Sequence, residues 1–175
     1  IALVGNPNSG NTALFNQLTG SRQKVANYPG VTVEKKSGLL RVAGDQYEIL
    51  DLPGAYSFDT QSPDELVTRD VCLGLVEGEK RPDLIVCVVD STNLRLHLRF
   101  ALEVRALGIP MVLALNMADS AKRRGITINS EALSEGLGVP IVETVAVRRE
   151  GARSLIDFIQ GGMFQEPREA EDIDF

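Results

Sequence analysis

The sequence predicts an α/β domain, a sheet covered by helices on both faces. Three observations carry this. Strand-sized apolar runs, such as Leu84–Val89 and Met111–Leu115, alternate with stretches whose apolar residues recur at helical spacing. A chain of 175 residues suits one domain with one sizeable core. No apolar run reaches the roughly 18 residues that a membrane-spanning helix needs.

The elements follow in order. Ile1–Val4 reads as a buried strand that feeds a glycine loop. Thr12–Leu18 reads as a helix with Leu14, Phe15 and Leu18 on its apolar side. Ser21–Glu34 is polar and without clear period, a loop long enough to suggest function. Lys36–Val42 and Gln46–Leu50 flank Ala43-Gly44-Asp45, a hairpin turn. Ser62-Pro63-Asp64-Glu65 has the form of a capping box, with Ser at the N-cap, Pro at the first helical position and Glu two further on. It predicts a helix to about Leu75, and Gly78–Pro82 then breaks the chain. Leu84–Asp90 is a buried strand. Leu94–Leu107 carries Leu94, Leu98, Ala101, Leu102 and Leu107 at helical spacing, and Gly108 ends it. Met111–Leu115 is a further central strand, Ser130–Leu137 a short helix, Ile141–Val145 a strand and Ala152–Ile159 a final amphipathic helix. The predicted domain spans residues 1–160. Residues 161–175 are read as an acidic tail or the start of a linker.

Composition narrows the function. The net charge of −6 argues against general nucleic-acid affinity. The cluster Lys122-Arg123-Arg124 stands before Gly125 and reads as the charged end of a helix. Cys72 and Cys87 are the only cysteines, each in an apolar stretch, and read as buried free thiols. His97 is the only histidine, which argues against a His-based metal site or a Ser-His-Asp triad, and it is expected at an exposed helical position. No cluster of His, Cys or Met metal ligands is visible. No signal peptide is visible. The chain opens inside a strand and without Met, so it is expected to be a piece of something longer.

Three distant segments describe one ligand. In Gly5-Asn-Pro-Asn-Ser-Gly-Asn-Thr12, glycines let successive backbone N–H groups curl around a phosphate, and the following helix adds its positive N-terminal end. The candidate contacts are Gly5, Asn8, Ser9, Gly10, Asn11, Thr12 and Ala13, and Thr12 can offer its hydroxyl to Mg²⁺. Position 11, where a phosphate-binding lysine is expected, is asparagine. On this segment alone, an ordinary glycine-rich strand-to-helix turn is the competing explanation. Losing one charged hydrogen bond of roughly 1.5–3 kcal/mol predicts about ten- to a hundred-fold weaker nucleotide binding.

Asp51-Leu-Pro-Gly54 follows a strand. Asp51 can hold Mg²⁺ through water, and the Gly54 N–H can meet a γ-phosphate. Alone, this is a common turn. Thr32, in Gly30-Val-Thr-Val-Glu34, is the candidate for a second γ-phosphate and Mg²⁺ contact, or simply a β-branched residue entering a strand. Segments held only by γ-phosphate and metal order with triphosphate and relax after hydrolysis. Ala55 and Tyr56 follow Gly54, and neither can orient a water with a side-chain amide.

Asn116-Met-Ala-Asp119 follows the strand 111–115. A carboxylate at Asp119 can accept from guanine N1–H and the 2-amino group together, a pair that adenine lacks. Asn116 can tie this loop to the phosphate loop, and Met117 can lie on the base. Asp119 as a helix N-cap is the alternative. Val145-Ala146-Val147 lies where a backbone N–H can reach guanine O6.

These segments resemble the translation-factor-like class of P-loop GTPases and, more closely, the cytosolic G domain of the ferrous iron transport protein B family. The stretches that carry the resemblance are Gly5-Asn-Pro-Asn-Ser-Gly10, Leu14-Phe-Asn-Gln-Leu-Thr-Gly20, Asn27-Tyr-Pro-Gly-Val-Thr-Val-Glu34, Asp51-Leu-Pro-Gly-Ala-Tyr-Ser57, Asp90-Ser-Thr-Asn-Leu94 and Asn116-Met-Ala-Asp119. They run from the start of the chain to about Ile159.

The resemblance implies a mostly parallel six-stranded sheet with one antiparallel strand. It implies GTP hydrolysis to GDP with Mg²⁺, linked to Fe²⁺ uptake through a membrane domain absent from this chain and acting at the cytoplasmic face of the membrane. Helical and membrane domains would be partners in cis, with oligomers possible through the full-length protein. Potassium-stimulated relatives imply a K⁺ site from Asn8 and the carbonyls of Ala26 and Tyr28, with Asn8, Thr32 and Gly54 as the catalytic set. Asn11 departs from the pattern and implies impaired activity. Two other readings stay open: a non-catalytic module that binds nucleotide or partners, and a soluble GTPase of ribosomes or tRNA modification.

Overall fold

Residues 1–59 and 61–167 are described by the computed structural model of this chain. Seven strands form one sheet in the order β2-β3-β4-β1-β5-β6-β7. In chain order the elements are β1 (Ala2–Gly5), α1 (Asn11–Thr19), β2 (Gln23–Asn27), β3 (Glu34–Val42), β4 (Asp45–Asp51), α2 (Pro63–Cys72), β5 (Ile85–Asp90), α3 (Leu94–Arg105), β6 (Met111–Asn116), α4 (Ala118–Arg123), α5 (Ser130–Leu137), β7 (Ile141–Glu143) and α6 (Arg153–Gly161). β4, β1, β5, β6 and β7 pair in parallel, and β3 runs antiparallel to both β2 and β4.

The core explains why the central strands are apolar throughout. Along β5, Ile85, Cys87 and Val89 face one cluster, with Val71, Phe100, Ala101 and Val104 of α2 and α3. Val86 and Val88 face the other, with Leu14, Phe15, Leu155 and Ile159 of α1 and α6. Successive strand residues alternate between faces, so a sheet covered on both sides needs an unbroken apolar run. Leu113, in β6, is fully buried; its truncation to Ala would cost about 2–5 kcal/mol.

Four differences from the sequence expectation have physical causes. The sheet has seven strands, not six: Gln23–Asn27, inside the stretch read as a loop, pairs with Glu34–Gly38 as an edge strand exposed along its whole length. A strand with no buried face has no apolar alternation to betray it. His97 is buried, not exposed, and its Nδ1 accepts from the Asp90 amide at 3.3 Å. Ser62 caps its helix without a side-chain cap hydrogen bond, and the Glu65 carboxylate accepts from the Tyr56 and Ser57 amides at 2.9 and 3.2 Å. α2 also ends at Cys72, short of Leu75.

The hairpin turn Ala43-Gly44 has two positive φ angles, 51° and 85°, the backbone of a two-residue turn matched to strand twist. Cys72 and Cys87 are free and buried, and burial pushes both thiols up to about 12. At the end of the domain Phe164 stacks on Phe158, ring centroids 6.2 Å apart, so the chain still packs on the core just past residue 160. Residues 168–175 of the expected tail lie outside the described residues.

Candidate nucleotide site

Parallel register delivers the site. The loops after β1, β4, β6 and β7 all leave the carboxyl ends of neighbouring parallel strands, where α/β sheets bind ligands. Leu3 pairs with Asp51, and Asp90 with Asn116. Segments more than a hundred residues apart therefore open onto one edge.

At one end lies a cleft of about 520 Å³. Asn6, Asn8, Gly10, Asn11, Thr12 and Ala13 line it from the phosphate loop, Thr32 from the segment before β3, and Asp51 and Gly54 from the β4 turn. The Thr12 hydroxyl donates to the Asp51 carboxylate at 3.2 Å. Burial raises the Asp51 pKa, and the Thr12 hydrogen bond and the nearby Lys36 charge oppose that rise. A hydroxyl beside a buried carboxylate is an oxygen-donor pair that fits Mg²⁺. The loop is held shut from behind: the Ala55 amide donates to Gly5 O at 3.0 Å, and Gly54 sits so near Pro7 that a Cβ would come within 3.0 Å of its Cα.

Asn11 does not point a charge into this cleft. Its Oδ1 accepts from the Ser9 hydroxyl at 3.1 Å, and its Nδ2 is buried without a partner. Asn6 Oδ1 is likewise buried and unpartnered.

The other end is a closed knot around Asn116. Its Nδ2 donates to Ser9 O at 3.0 Å, and its Oδ1 accepts from the Thr144 hydroxyl and the Ala146 amide, both at 3.0 Å. Gly10 must be glycine here. Its φ is 104°, and a Cβ would fall 2.0 Å from Asn116 Nδ2, an atom its other bonds hold in place. Met117 adopts the left-handed backbone, φ 58°, and starts α4. Asp119 follows within that helix, its carboxylate 3.0 Å from both Arg123 and Arg148. Desolvation would raise its pKa, but Arg123, the Ser120 amide and Arg148 hold it below the ordinary value.

The guanine-loop stretch is only partly open to a ligand. The Val145 amide donates to Gly151 O at 2.9 Å and the Ala146 amide to Asn116, while Val147 is 84% exposed. Of the three, Val145 and Ala146 already use their amides within the protein. Ala26 and Tyr28 do not line the cleft that Asn8 lines. Ala26 lies in the β2–β3 ladder opposite Lys35, and the Tyr28 carbonyl accepts from Val31 N at 3.4 Å. The Tyr28 ring is buried, which raises its hydroxyl pKa, with Glu79 adding to the effect.

The family model described as "Ferrous iron transport protein B" matches residues 1–159. The chain belongs to this family. It is 45% identical over 157 residues to the Fe(2+) transport protein A/Fe(2+) transporter FeoB fusion protein of Porphyromonas gingivalis, covering 90% of this chain and 18% of that protein. It is 45% identical over 156 residues to the Fe(2+) transporter FeoB of Escherichia coli, covering 89% and 20%. The chain thus spans about a fifth of these curated relatives. Among solved structures it is similar to the G domain of the T. maritima FeoB iron transporter, with TM-score 0.80, 41% identity and 91% and 95% of the two chains covered. A GDP-bound mutant of S. thermophilus NFeoB matches with TM-score 0.80, 46% identity and 91% and 59% coverage. The P-loop GTPase fold is therefore that of the FeoB G domain.

Sequence reasoning missed Thr144, Gln17 and Lys36. Gln17 Nε2 donates to Ala146 O at 2.9 Å and also to Arg148 O. Thr144 follows a strand end, as Asn116 ends β6, a parallel that offered a faint signal. Gln17 gave none, since it lies on the polar side of a helix.

Proposed function

We propose that this chain is the guanine-nucleotide-binding, GTP-hydrolysing domain of a ferrous iron transporter, acting at the cytoplasmic face of a membrane. The observation that carries the reading is convergence. Asn116 joins the phosphate loop to the 144–146 loop, while Thr12 and Asp51 meet at the far end of the same edge. GDP bound to the S. thermophilus relative supports the same ligand class.

The nucleotide tail lies along residues 8–13, where loop amides and the N-terminus of α1 stabilise phosphate charge. Asp119 exchanges one of its arginine partners for the two guanine donors. Mg²⁺, held by Thr12, Asp51 and, with triphosphate, Thr32, supplies charge neutralisation at the terminal phosphates. The Gly54 amide and Thr32 hold the γ-phosphate while water attacks phosphorus and GDP leaves. Tyr56 is largely exposed and Ala55 fully buried, so backbone groups orient the water. Asn11 slows this relative to a lysine-bearing relative. A potassium site at Asn8, Ala26 and Tyr28 requires the 26–32 segment to move; a rate unchanged between potassium and sodium removes it.

Among the described residues no helix is long and apolar enough to cross a membrane, and no three His, Cys, Asp or Glu side chains cluster as a metal site. Iron passage belongs to the membrane domain, joined in cis through a helical domain. Family membership disfavours a ribosomal or tRNA-modifying role. The second reading is a nucleotide-binding module without turnover, favoured by the uncharged Asn11.

Calorimetry with GDP and ADP tests the ligand. GDP should bind at least about tenfold more tightly, one lost charged hydrogen bond's worth. Equal affinity removes the guanine assignment. Phosphate release from GTP separates the enzyme from the silent module.

A further inference from the structure

The phosphate cleft is acidic but for one side chain. Glu34, Asp51 and Asp64 line it, and among the described residues Lys36 is the only cation in its lining. Lys36 belongs to β3, not to the phosphate loop, and stands opposite Asp51 of β4 in the antiparallel register. Its neighbour Lys35 is committed elsewhere, in an ion pair with Glu79. Alternation along the strand puts the two lysines on opposite faces. Among the described residues Lys36 forms no ion pair. Lys36 therefore lines the same cleft in which Asn11 leaves a buried, unpartnered amide nitrogen and no charge, and its ammonium is near enough to Asp51 to oppose the rise of that carboxyl's pKa.

We propose that Lys36 supplies the positive charge that position 11 lacks, binding the terminal phosphates of the nucleotide from strand β3. The inference rests on the guanine-nucleotide reading above and deepens it by naming a binding residue outside the three sequence motifs. The competing role is purely structural, with Lys36 serving only as the counter-charge of Asp51. The two roles differ in one respect. A phosphate ligand becomes redundant when lysine returns to position 11, whereas a counter-charge for Asp51 does not.

The test is a double-mutant cycle read by calorimetry with GDP and a non-hydrolysable GTP analogue, both with Mg²⁺. Four chains are compared: the parent, Lys36→Met, Asn11→Lys and the double variant. Lys36→Met keeps most of the aliphatic stem and removes only the charge, and thermal melts confirm that each chain is folded. In the parent background Lys36→Met should weaken the GTP analogue about ten- to a hundred-fold, and GDP by less. In the Asn11→Lys background the same change should weaken it less than about threefold. Lys36→Arg should retain most of the affinity. An equal loss in both backgrounds, or no loss in the parent, overturns the proposal. A parent chain that binds neither nucleotide would instead remove the guanine-nucleotide reading, a distinct result.

Discussion

The two ends of the site are built on different terms. At the base end every polar group of Asn116 is satisfied by protein: Ser9 O, the Thr144 hydroxyl and the Ala146 amide. Asp119 already holds two arginines, with its side chain only 18% exposed. At the phosphate end Asn11 Nδ2 and Asn6 Oδ1 are buried without partners, and a buried carboxylate faces a lone lysine. An unsatisfied buried polar atom costs about 1–3 kcal/mol, so native folds keep few of them. The base end is thus part of the fold's own stability, while the phosphate end keeps polar atoms that the fold itself does not satisfy.

That contrast predicts three effects of decreasing size. Asn116→Ala strikes the end that the fold needs. It should lower unfolding stability by about 2–4 kcal/mol in urea titration and weaken GDP about a hundred-fold or more. A mild effect on stability would show that the knot is not structural. Asn11→Lys acts at the unfinished end. It should leave stability nearly unchanged while tightening the GTP analogue about ten- to a hundred-fold in the Lys36→Met background, and by less where Lys36 already supplies charge, with faster phosphate release. No gain in either would break the account of Asn11.

Asp51→Asn gives the smallest effect and the most specific pH signature. Burial raises the Asp51 pKa above its ordinary 3.8, so the folded chain holds that proton more tightly than the unfolded chain. The stability it contributes is complete below pH 3.8 and is lost as pH rises through the folded value. At pH 7 without ligand the charged Asp51 is therefore a burden. Asp51→Asn should raise the melting temperature there, and the gain should vanish toward pH 3.8. Mg²⁺ with GDP should stabilise the parent more than the variant. A gain that persists in acid would mean that the effect does not come from titration of Asp51.

Much of this molecule was legible without coordinates, for identifiable reasons. β5 and β6 announced themselves because a strand buried on both faces must be apolar at every position. α5 was read to its observed ends, Ser130–Leu137, with Asn129 accepting from the Ala132 amide as a side-chain cap. The phosphate loop was visible because glycines at fixed spacing meet a local backbone demand. β2 stayed hidden because none of its residues is buried. His97 was misplaced because helical spacing does not say how far an adjoining strand end reaches over the helix.

By itself, then, the sequence determined whatever depends on near neighbours along the chain: the apolar strands, the amphipathic helices, the glycine loop, and which side chains stand ready at the strand ends. Only the tertiary structure decided that Thr144 closes on Asn116, that Arg148 occupies Asp119, and that Lys36 rather than Lys35 enters the cleft. The reason is that these meetings are fixed by strand register and loop closure. Both are set by the packing of the whole sheet, and a β3 pairing offset by one residue would send Lys35 rather than Lys36 to the cleft side.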